Sequence, residues 1–131
     1  MIDIDRRTML GTTVVAGLAA AAPAWASAAR PPSILVYDQR FAAARLEAER
    51  IRAAGGLALD PRERDLGLAW RDEIPLHLAK GPVLIGGITL WSDQFICQTF
   101  AREHGLSLTL GRPIDTAAQG GAKGLREWTI A

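Results

Sequence analysis

The stretch Ser33-Ile34-Leu35-Val36-Tyr37 decides the fold of this chain. It is a short apolar run rich in β-forming residues, and it ends at Asp38. Such a run, apolar on both faces, is typical of a strand buried in a parallel sheet. A helical spacing of apolar residues follows from Arg40 to Ala54, and Gly55-Gly56 is suited to end that helix. Together with a second short strand, Leu57 to Asp60, these residues predict a βαβ unit.

The same alternation continues beyond this unit. Leu66 to Lys80 predicts two short helices, because Pro75 disfavours helical angles at the residue before it. Val83 to Ile88 predicts the central strand, and the helix after it is expected to run to about Glu103. The expected caps of that helix are Thr89 or Ser92, and the side chains expected on its buried face are Phe95, Ile96, Thr99 and Phe100.

The last segments complete a predicted sheet. Strict alternation in Leu106 to Leu110 predicts an edge strand, and alternation around Trp128 predicts that Leu125 to Ile130 pairs antiparallel with a sheet edge. Alternating strands and helices imply a parallel sheet with helices on both faces, and right-handed crossovers predict the order 2-1-3-4. The predicted fold class is therefore α/β: a small three-layer sandwich of flavodoxin-like or Rossmann-like order with a C-terminal antiparallel edge strand. A smaller two-layer α/β sandwich is the alternative.

Residues 1–28 have the features of an export signal. The basic residues are Arg6 and Arg7, and the soft apolar stretch Thr8 to Ala22 is shorter than the roughly 20 residues that span a bilayer. Ala24 and Ala26 supply small residues at the positions that a signal peptidase recognises. The arginine pair predicts the twin-arginine translocation (Tat) route, which exports folded proteins, with cleavage after Ala26 or Ala28. A retained membrane anchor or a buried hydrophobic helix is the alternative.

This interpretation divides the chain into a signal helix, residues 1–28, and a single α/β domain, residues 33–131. The expected location is the periplasm, and contact with a membrane is expected only at the Tat translocon during export.

Charge and cysteine content argue against several classes of function. The chain has 15 basic and 14 acidic side chains, a net charge of +1, so no basic patch for nucleic acid or an anionic membrane is expected. Cys97 is the single cysteine, which excludes an intramolecular disulfide, a Cys-based zinc site and a haem attachment motif. Cys97 is expected to be a structural or half-buried thiol, and a free thiol that pairs with a partner chain is the alternative. His77 and His104 are too far apart in sequence to form a metal motif, so no metal site is predicted.

In open α/β sheets, ligands bind beyond the carboxyl ends of the strands, where the strand order reverses. With the order 2-1-3-4, that point lies between the first and third strands. A small polar ligand there would meet a carboxylate, a guanidinium, a hydroxyl and an indole. The candidate ligand-binding residues are Asp38, Gln39, Arg40, Asp60, Gly87, Thr89 and Trp91.

Each candidate also has a purely structural interpretation. Asp38 and Asp60 can cap helices or turns, Gly86-Gly87 can permit close helix packing, and Trp91 can belong to the core or to a hydrophobic staple. The glycine-rich motifs that bind phosphates are absent from the sequence, which argues against a dinucleotide cofactor or a nucleotide hydrolase. Flavin mononucleotide needs no such motif, so the cofactor stays unknown.

Five short motifs carry a resemblance to known proteins: Asp38-Gln39-Arg40-Phe41, Gly81-Pro82, Gly87-Ile88-Thr89, Phe95-Ile96-Cys97 and His104-Gly105. Over Ser33 to Leu110 the chain resembles small bacterial Tat-exported α/β proteins to which no activity is assigned. The resemblance implies one α/β domain with an export signal, and it implies no substrate.

Three functions are compatible with these patterns. The first is an accessory or partner-binding subunit without catalytic activity, with an exported oxidoreductase as the hypothetical partner. The alternative is a small-molecule or flavin-binding domain that uses the strand rim. A hydrolase or isomerase with Asp38 or Asp60 as its base ranks last, because the sequence pairs neither with a nucleophile or an acid.

Overall fold

The computed structural model describes Trp25, residues 31–114 and residues 124–131. The elements in these ranges, in chain order, are β1 (Ile34–Tyr37), α1 (Ala42–Ala53), β2 (Leu57–Leu59), α2 (Leu66–Asp72), α3 (Ile74–Leu78), β3 (Ile85–Leu90), α4 (Trp91–Glu103), β4 (Leu108–Pro113) and β5 (Leu125–Ile130). Apart from Trp25, the residues of the predicted signal helix, including Arg6, Arg7, Ala24 and Ala26, lie outside the described residues. Within the described ranges, every helix is too short or too polar to cross a membrane.

The five strands form one open, mixed sheet in the order β2-β1-β3-β5-β4. β1 pairs parallel with β2 and with β3, whereas β5 pairs antiparallel with β3 and with β4. The predicted α/β class and the βαβ unit are confirmed. The predicted order 2-1-3-4 is wrong beyond the third strand, because β5 lies between β3 and β4. The C-terminal strand is antiparallel, as predicted, but it lies inside the sheet and not at its edge.

The difference between β4 and β5 in side-chain burial explains this order. Five of the six residues of β5 are buried, and its side chains need cover on both faces of the sheet. β4 is mostly exposed, so it tolerates the edge position. Leu106 to Leu110 was predicted as an edge strand, and the strand that forms there, β4, is the edge.

Helices cover both faces of the sheet, so the core has two parts. Side chains alternate along β1: Ile34 and Val36 point to one face, Leu35 and Tyr37 to the other. The α4 face takes its helical side chains from α2, α3 and α4, with Trp128 at its centre. Its fully enclosed members include Trp70, Ile74, Cys97, Ala101 and Trp128. The α1 face takes its helical side chains from α1, and it also holds Trp25, which is 4% exposed.

Helix α4 differs from its prediction in both its cap and its buried face. It begins at Trp91 with Leu90 at the N-cap and without a side-chain cap, because β3 continues through Thr89 to Leu90. Its buried residues are Gln94, Cys97 and Ala101. Of the four side chains expected there, Phe100 is half-buried against the core and the other three are exposed: Phe95, Ile96 and Thr99.

The break between α2 and α3 lies at Glu73, before Ile74, and not at Ile74 as predicted. α2 ends at Asp72 and α3 begins at Ile74, so Ile74 is helical although it precedes Pro75. Pro75 occupies the first turn of α3, where its missing N–H has no helical acceptor to lose. The proline therefore begins the second helix and does not break the first.

Candidate functional site

The predicted rim is formed where β1 and β2 end side by side. Asp38 directly follows β1 and Asp60 directly follows β2, and these parallel strands are neighbours in register. The backbone N–H of Asp38 donates to the carbonyl of Ile88 at 2.9 Å, which ties the first rim residue to β3. The sheet thus brings three segments of distant sequence to one edge.

Asp38 and Arg40 form a closed ion pair at the centre of this rim. The Arg40 guanidinium donates to both carboxylate oxygens of Asp38, with distances of 2.9, 3.1 and 2.5 Å, and the Arg40 backbone N–H donates at 3.0 Å. Burial raises the pKa of the Asp38 carboxyl, but the hydrogen bonds and charge of Arg40 outweigh burial and hold that pKa below its ordinary value. Arg40 therefore neutralises a buried carboxylate of its own chain, and only the outer part of its side chain is exposed.

The other polar residues that follow β1 and β2 hold their two loops together. The Gln39 side-chain amide donates to Glu63 at 3.1 Å, and the Gln39 carbonyl accepts from Arg45 at 2.6 Å. Asp60 forms a turn in which Oδ1 accepts from the backbone N–H of Arg62 at 2.8 Å. Asp60 Oδ2 is buried and has no hydrogen-bond partner among the described residues. The structural interpretation of Asp60 as a turn former is thus correct for one of its two oxygens.

Gly87 and Thr89 belong to the core and not to the rim. A Cβ at Gly87 would overlap the indole of Trp128 on β5, so the glycine exists for this close approach. The Trp128 Nε1–H donates to Thr89 Oγ1 at 2.9 Å, and the Thr89 hydroxyl donates to the Leu90 carbonyl at 2.8 Å. Thr89 is completely buried. These two residues are removed from the set of candidate ligands.

Trp91 is the opposite case, since it is exposed and stacks on another exposed aromatic ring. Trp91 is 57% exposed and Phe95, one helical turn later, is 51% exposed. Their ring centroids are 5.3 Å apart, and Ile96, the next residue of the helix, is also exposed. We call Trp91, Phe95 and Ile96 the aromatic patch of α4. The interpretation of Trp91 as a core residue is wrong.

Asp93 is a rim residue that the sequence did not reveal. Burial, followed by the charges of Asp38 and Asp60, raises the pKa of the Asp93 carboxyl above its ordinary value, and Arg40 only partly offsets this. Three carboxylates from three segments thus act on one another at this edge. Asp93 lies in the first turn of α4, two residues from both Trp91 and Phe95, so its side chain does not share the helix face of the aromatic patch.

Metal and thiol chemistry find little support in the parts of the chain that the structure describes. Within those parts, no three His, Cys, Asp or Glu side chains are arranged to hold a metal ion. Cys97 is fully buried, and burial raises the pKa of its thiol to about 12. A thiol in that state is a poor nucleophile at neutral pH. His104 follows α4 and stacks on Trp70, with ring centroids 5.7 Å apart.

Comparison with known proteins adds no relative to these observations. No protein-family model, no curated protein and no solved structure matches this chain. The function of the chain is therefore inferred from the geometry of its own residues.

Proposed function

We propose that this chain is an exported, periplasmic, non-catalytic partner-binding domain whose contact surface is the aromatic patch of α4. The observation that carries the proposal is the exposed, stacked pair Trp91–Phe95. Aromatic side chains, and tryptophan above all, dominate the energetics of protein interfaces. A contiguous apolar patch bordered by charged residues is typical of such an interface.

The carboxylate in the first turn of α4 adds to the chemistry expected of the partner. Asp93 interacts with Asp38 and Asp60 at the rim, on a different face of the helix from the aromatic patch. Lys or Arg side chains on the partner, flanking an apolar surface, would complement this rim. An exported oxidoreductase that presents such a surface is the working hypothesis for the partner, and assembly before export is compatible with the Tat route.

The state of the rim favours this function over catalysis. Asp38 is neutralised by Arg40, and the Thr89 hydroxyl is hydrogen-bonded to Trp128 in the core. Neither side chain is available as a base or a nucleophile. A general base needs a pKa near the working pH, whereas the pKa of Asp38 is lowered.

A small ligand at the rim is the second candidate, and the buried, unpartnered Oδ2 of Asp60 favours it. Arg40 already neutralises Asp38, whereas Asp60 Oδ2 accepts no hydrogen bond within the described part of the chain, so a ligand that donates a hydrogen bond is favoured. Native mass spectrometry of the protein purified from periplasm tests this candidate. A bound ligand that is lost in the double variant Asp38→Ala/Arg40→Ala would support it, and its retention in that variant would exclude the rim.

Site-specific photo-crosslinking in the periplasm tests the partner-binding proposal. A crosslinking amino acid at position 95 is compared with one at position 76, because Leu76 is 64% exposed and lies on α3, outside both the aromatic patch and α1. We expect one discrete adduct from position 95 and none from position 76. The variant Trp91→Ala should weaken that adduct at least about tenfold, since interface tryptophans are frequent hot spots. Equal labelling from both positions would overturn the proposal.

A further inference from the structure

β3 carries two successive glycines, and each of them lies against an indole on a different face of the sheet. Gly87 faces Trp128 on the α4 face, as described above. Gly86 faces Trp25 on the α1 face: a Cβ at Gly86 would lie 3.2 Å from Cη2 of Trp25 and 2.8 Å from Cγ of Pro32. Either distance is closer than side chains normally tolerate, so glycine at this position opens the space in which the indole lies.

The pocket around Trp25 combines an apolar lining with one charged acceptor. Trp25 belongs to the apolar cluster of the α1 face, which also includes residues of β1, β3, β5 and α1: Leu35, Tyr37, Ala44, Ala48, Ile88 and Leu125. Glu47 on α1 is 5% exposed, and its Oε1 accepts from the Trp25 Nε1–H at 3.1 Å. Its Oε2 accepts from Arg50 at 3.3 Å. A carboxylate in an apolar cluster must be hydrogen-bonded, so the pocket selects a ring that carries an N–H.

Trp25 occupies this pocket from a position that the predicted cleavage would remove. It lies between Ala24 and Ala26, the small residues that predict the peptidase site. Cleavage after Ala26 or Ala28 takes the indole away, and Gly86 and Glu47 stay behind in the domain. Removing a buried aromatic ring leaves an apolar space that binds a replacement of matching shape.

We propose that the space between Gly86 and Glu47 is an indole-binding site, filled by Trp25 before export and by a tryptophan side chain of the periplasmic partner after signal removal. The proposal rests on the proposed export and partner binding, because only cleavage empties the site. Trp25 itself shows that the site accepts an indole attached to a polypeptide backbone. The indole-binding site would be a second contact for the partner, on the α1 face and away from the aromatic patch of α4.

Indole titration of the full chain carrying Trp25→Ala tests the site. We expect indole at millimolar concentration to raise the unfolding midpoint by at least about 3 °C, because a ligand that binds only the folded state stabilises it. N-acetyl-tryptophanamide, which presents the ring on a backbone, should give a comparable shift. 1-Methylindole should bind about tenfold more weakly, because it has no N–H to donate to Glu47. Trp91→Ala is the matched control, since losing an exposed tryptophan leaves no cavity and predicts no indole shift.

A measurement on the unaltered chain covers the case in which Trp25→Ala does not fold. Hydrogen exchange of the indole N–H groups, followed by NMR, should be slow for Trp25 and fast for the exposed Trp91. Equal, fast exchange for both would overturn the proposal. So would the absence of an indole shift in a folded Trp25→Ala chain.

The probes also distinguish the source of the indole. Binding of indole without binding of N-acetyl-tryptophanamide would overturn the partner contact, because a side chain could not enter. Tighter binding of free L-tryptophan than of N-acetyl-tryptophanamide would make the ligand a small molecule and likewise overturn it. Crosslinking at Phe95 does not depend on the indole site, so the two proposals fail separately.

Discussion

The two faces of β3 are built on the same plan but from different parts of the chain. On each face a glycine admits an indole whose N–H donates to a side chain: Trp128 to Thr89, and Trp25 to Glu47. Trp128 belongs to β5 and is fixed by the antiparallel pairing of β5 with both β3 and β4. Trp25 lies in the segment predicted as a signal. The comparison shows one core completed by the sheet itself and another completed by residues that export is expected to remove.

The acceptors differ in a way that fits these two roles. Thr89 is a neutral hydroxyl that donates a hydrogen bond to the Leu90 carbonyl while it accepts one from Trp128. All the polar atoms of this buried contact therefore have partners. Glu47 is a carboxylate that also pairs with Arg50, whose side chain is mostly exposed. When Trp25 leaves, Glu47 keeps a partner and a route to water. The α1 face can therefore lose its indole at a lower cost than the α4 face.

The largest effect is expected from Trp128→Ala. Truncating a fully buried tryptophan removes apolar contacts and leaves a cavity, so the free energy of unfolding should fall by about 3–5 kcal/mol. Trp91→Ala, at an exposed position, should change it by no more than about 0.5 kcal/mol. Urea denaturation of both variants checks this. Equal losses would contradict the assignment of Trp128 to the core.

The two glycines should respond unequally to the same substitution. Gly87→Ala forces a Cβ into the Trp128 ring, which β5 holds in place, and we expect a loss of about 2–3 kcal/mol or more. Gly86→Ala meets the edge of Trp25 and Pro32, so the loss should be about 1 kcal/mol. Thermal unfolding of the two full-chain variants measures the difference. A larger loss at Gly86 would reverse the comparison.

Trp25→Ala should cost less than Trp128→Ala and leave the domain folded. We expect a loss of about 1–3 kcal/mol, smaller than for a fixed core tryptophan because Glu47 can regain hydration and no strand pairing is lost. Equilibrium denaturation and circular dichroism provide the test. Complete unfolding would mean that the domain does not stay folded when its signal is removed. That result would contradict the proposal that the α1 face can lose its indole.

A smaller effect, dependent on pH, is expected at the rim. The pKa of Asp93 is raised in the folded state, so ionisation of Asp93 destabilises the fold once the pH exceeds the ordinary value of 3.8. Asp93→Asn should therefore stabilise the protein at neutral pH by less than about 1 kcal/mol, and the gain should vanish below about pH 3.8. A loss at neutral pH would show that attraction to the α4 dipole outweighs the carboxylate repulsion.

Ionisation of Asp38 has the opposite effect on stability in the same pH range. Its pKa is lowered in the folded state, so its ionised form stabilises the fold above its ordinary value of 3.8. That contribution is lost as the pH falls through the lowered pKa of the folded state. Denaturation curves of the native chain between neutral and acid pH should therefore show stability falling at the acid end, and Arg40→Met should flatten this fall. An unchanged slope in Arg40→Met would contradict the role of the Asp38–Arg40 pair.

The elements that were predicted correctly depend on local patterns. β1, α1 and β2 follow from an apolar run, a helical spacing and a glycine pair that lie within one stretch of sequence. The position of β5 depends on the fit of Trp128 over Gly87, forty-one residues apart in the chain, and spacing does not reveal that contact. The buried face of α4 was missed because Gln94, Cys97 and Ala101 are small or polar, and the large apolar residues beside them face outward.

Three of the seven candidate site residues were predictable from the order of the strands. Asp38, Arg40 and Asp60 meet because the carboxyl ends of parallel strands share an edge, which sequence order already implies. Thr89 was predicted as a ligand because the third strand was expected to end at Ile88, whereas β3 continues to Leu90. Trp25 escaped attention as a core residue, since its neighbours Ala24 and Ala26 assigned it to the signal.

The intact mass of the protein recovered from periplasm is the most direct test of the difference between the two tryptophans. We predict a chain that begins at Ser27 or Ala29, lacks Trp25 and keeps Trp128, with the same protein retained at full length in cells without a Tat translocon. A periplasmic chain that still carries Trp25 would show that both indoles are permanent parts of the core, and it would contradict the account.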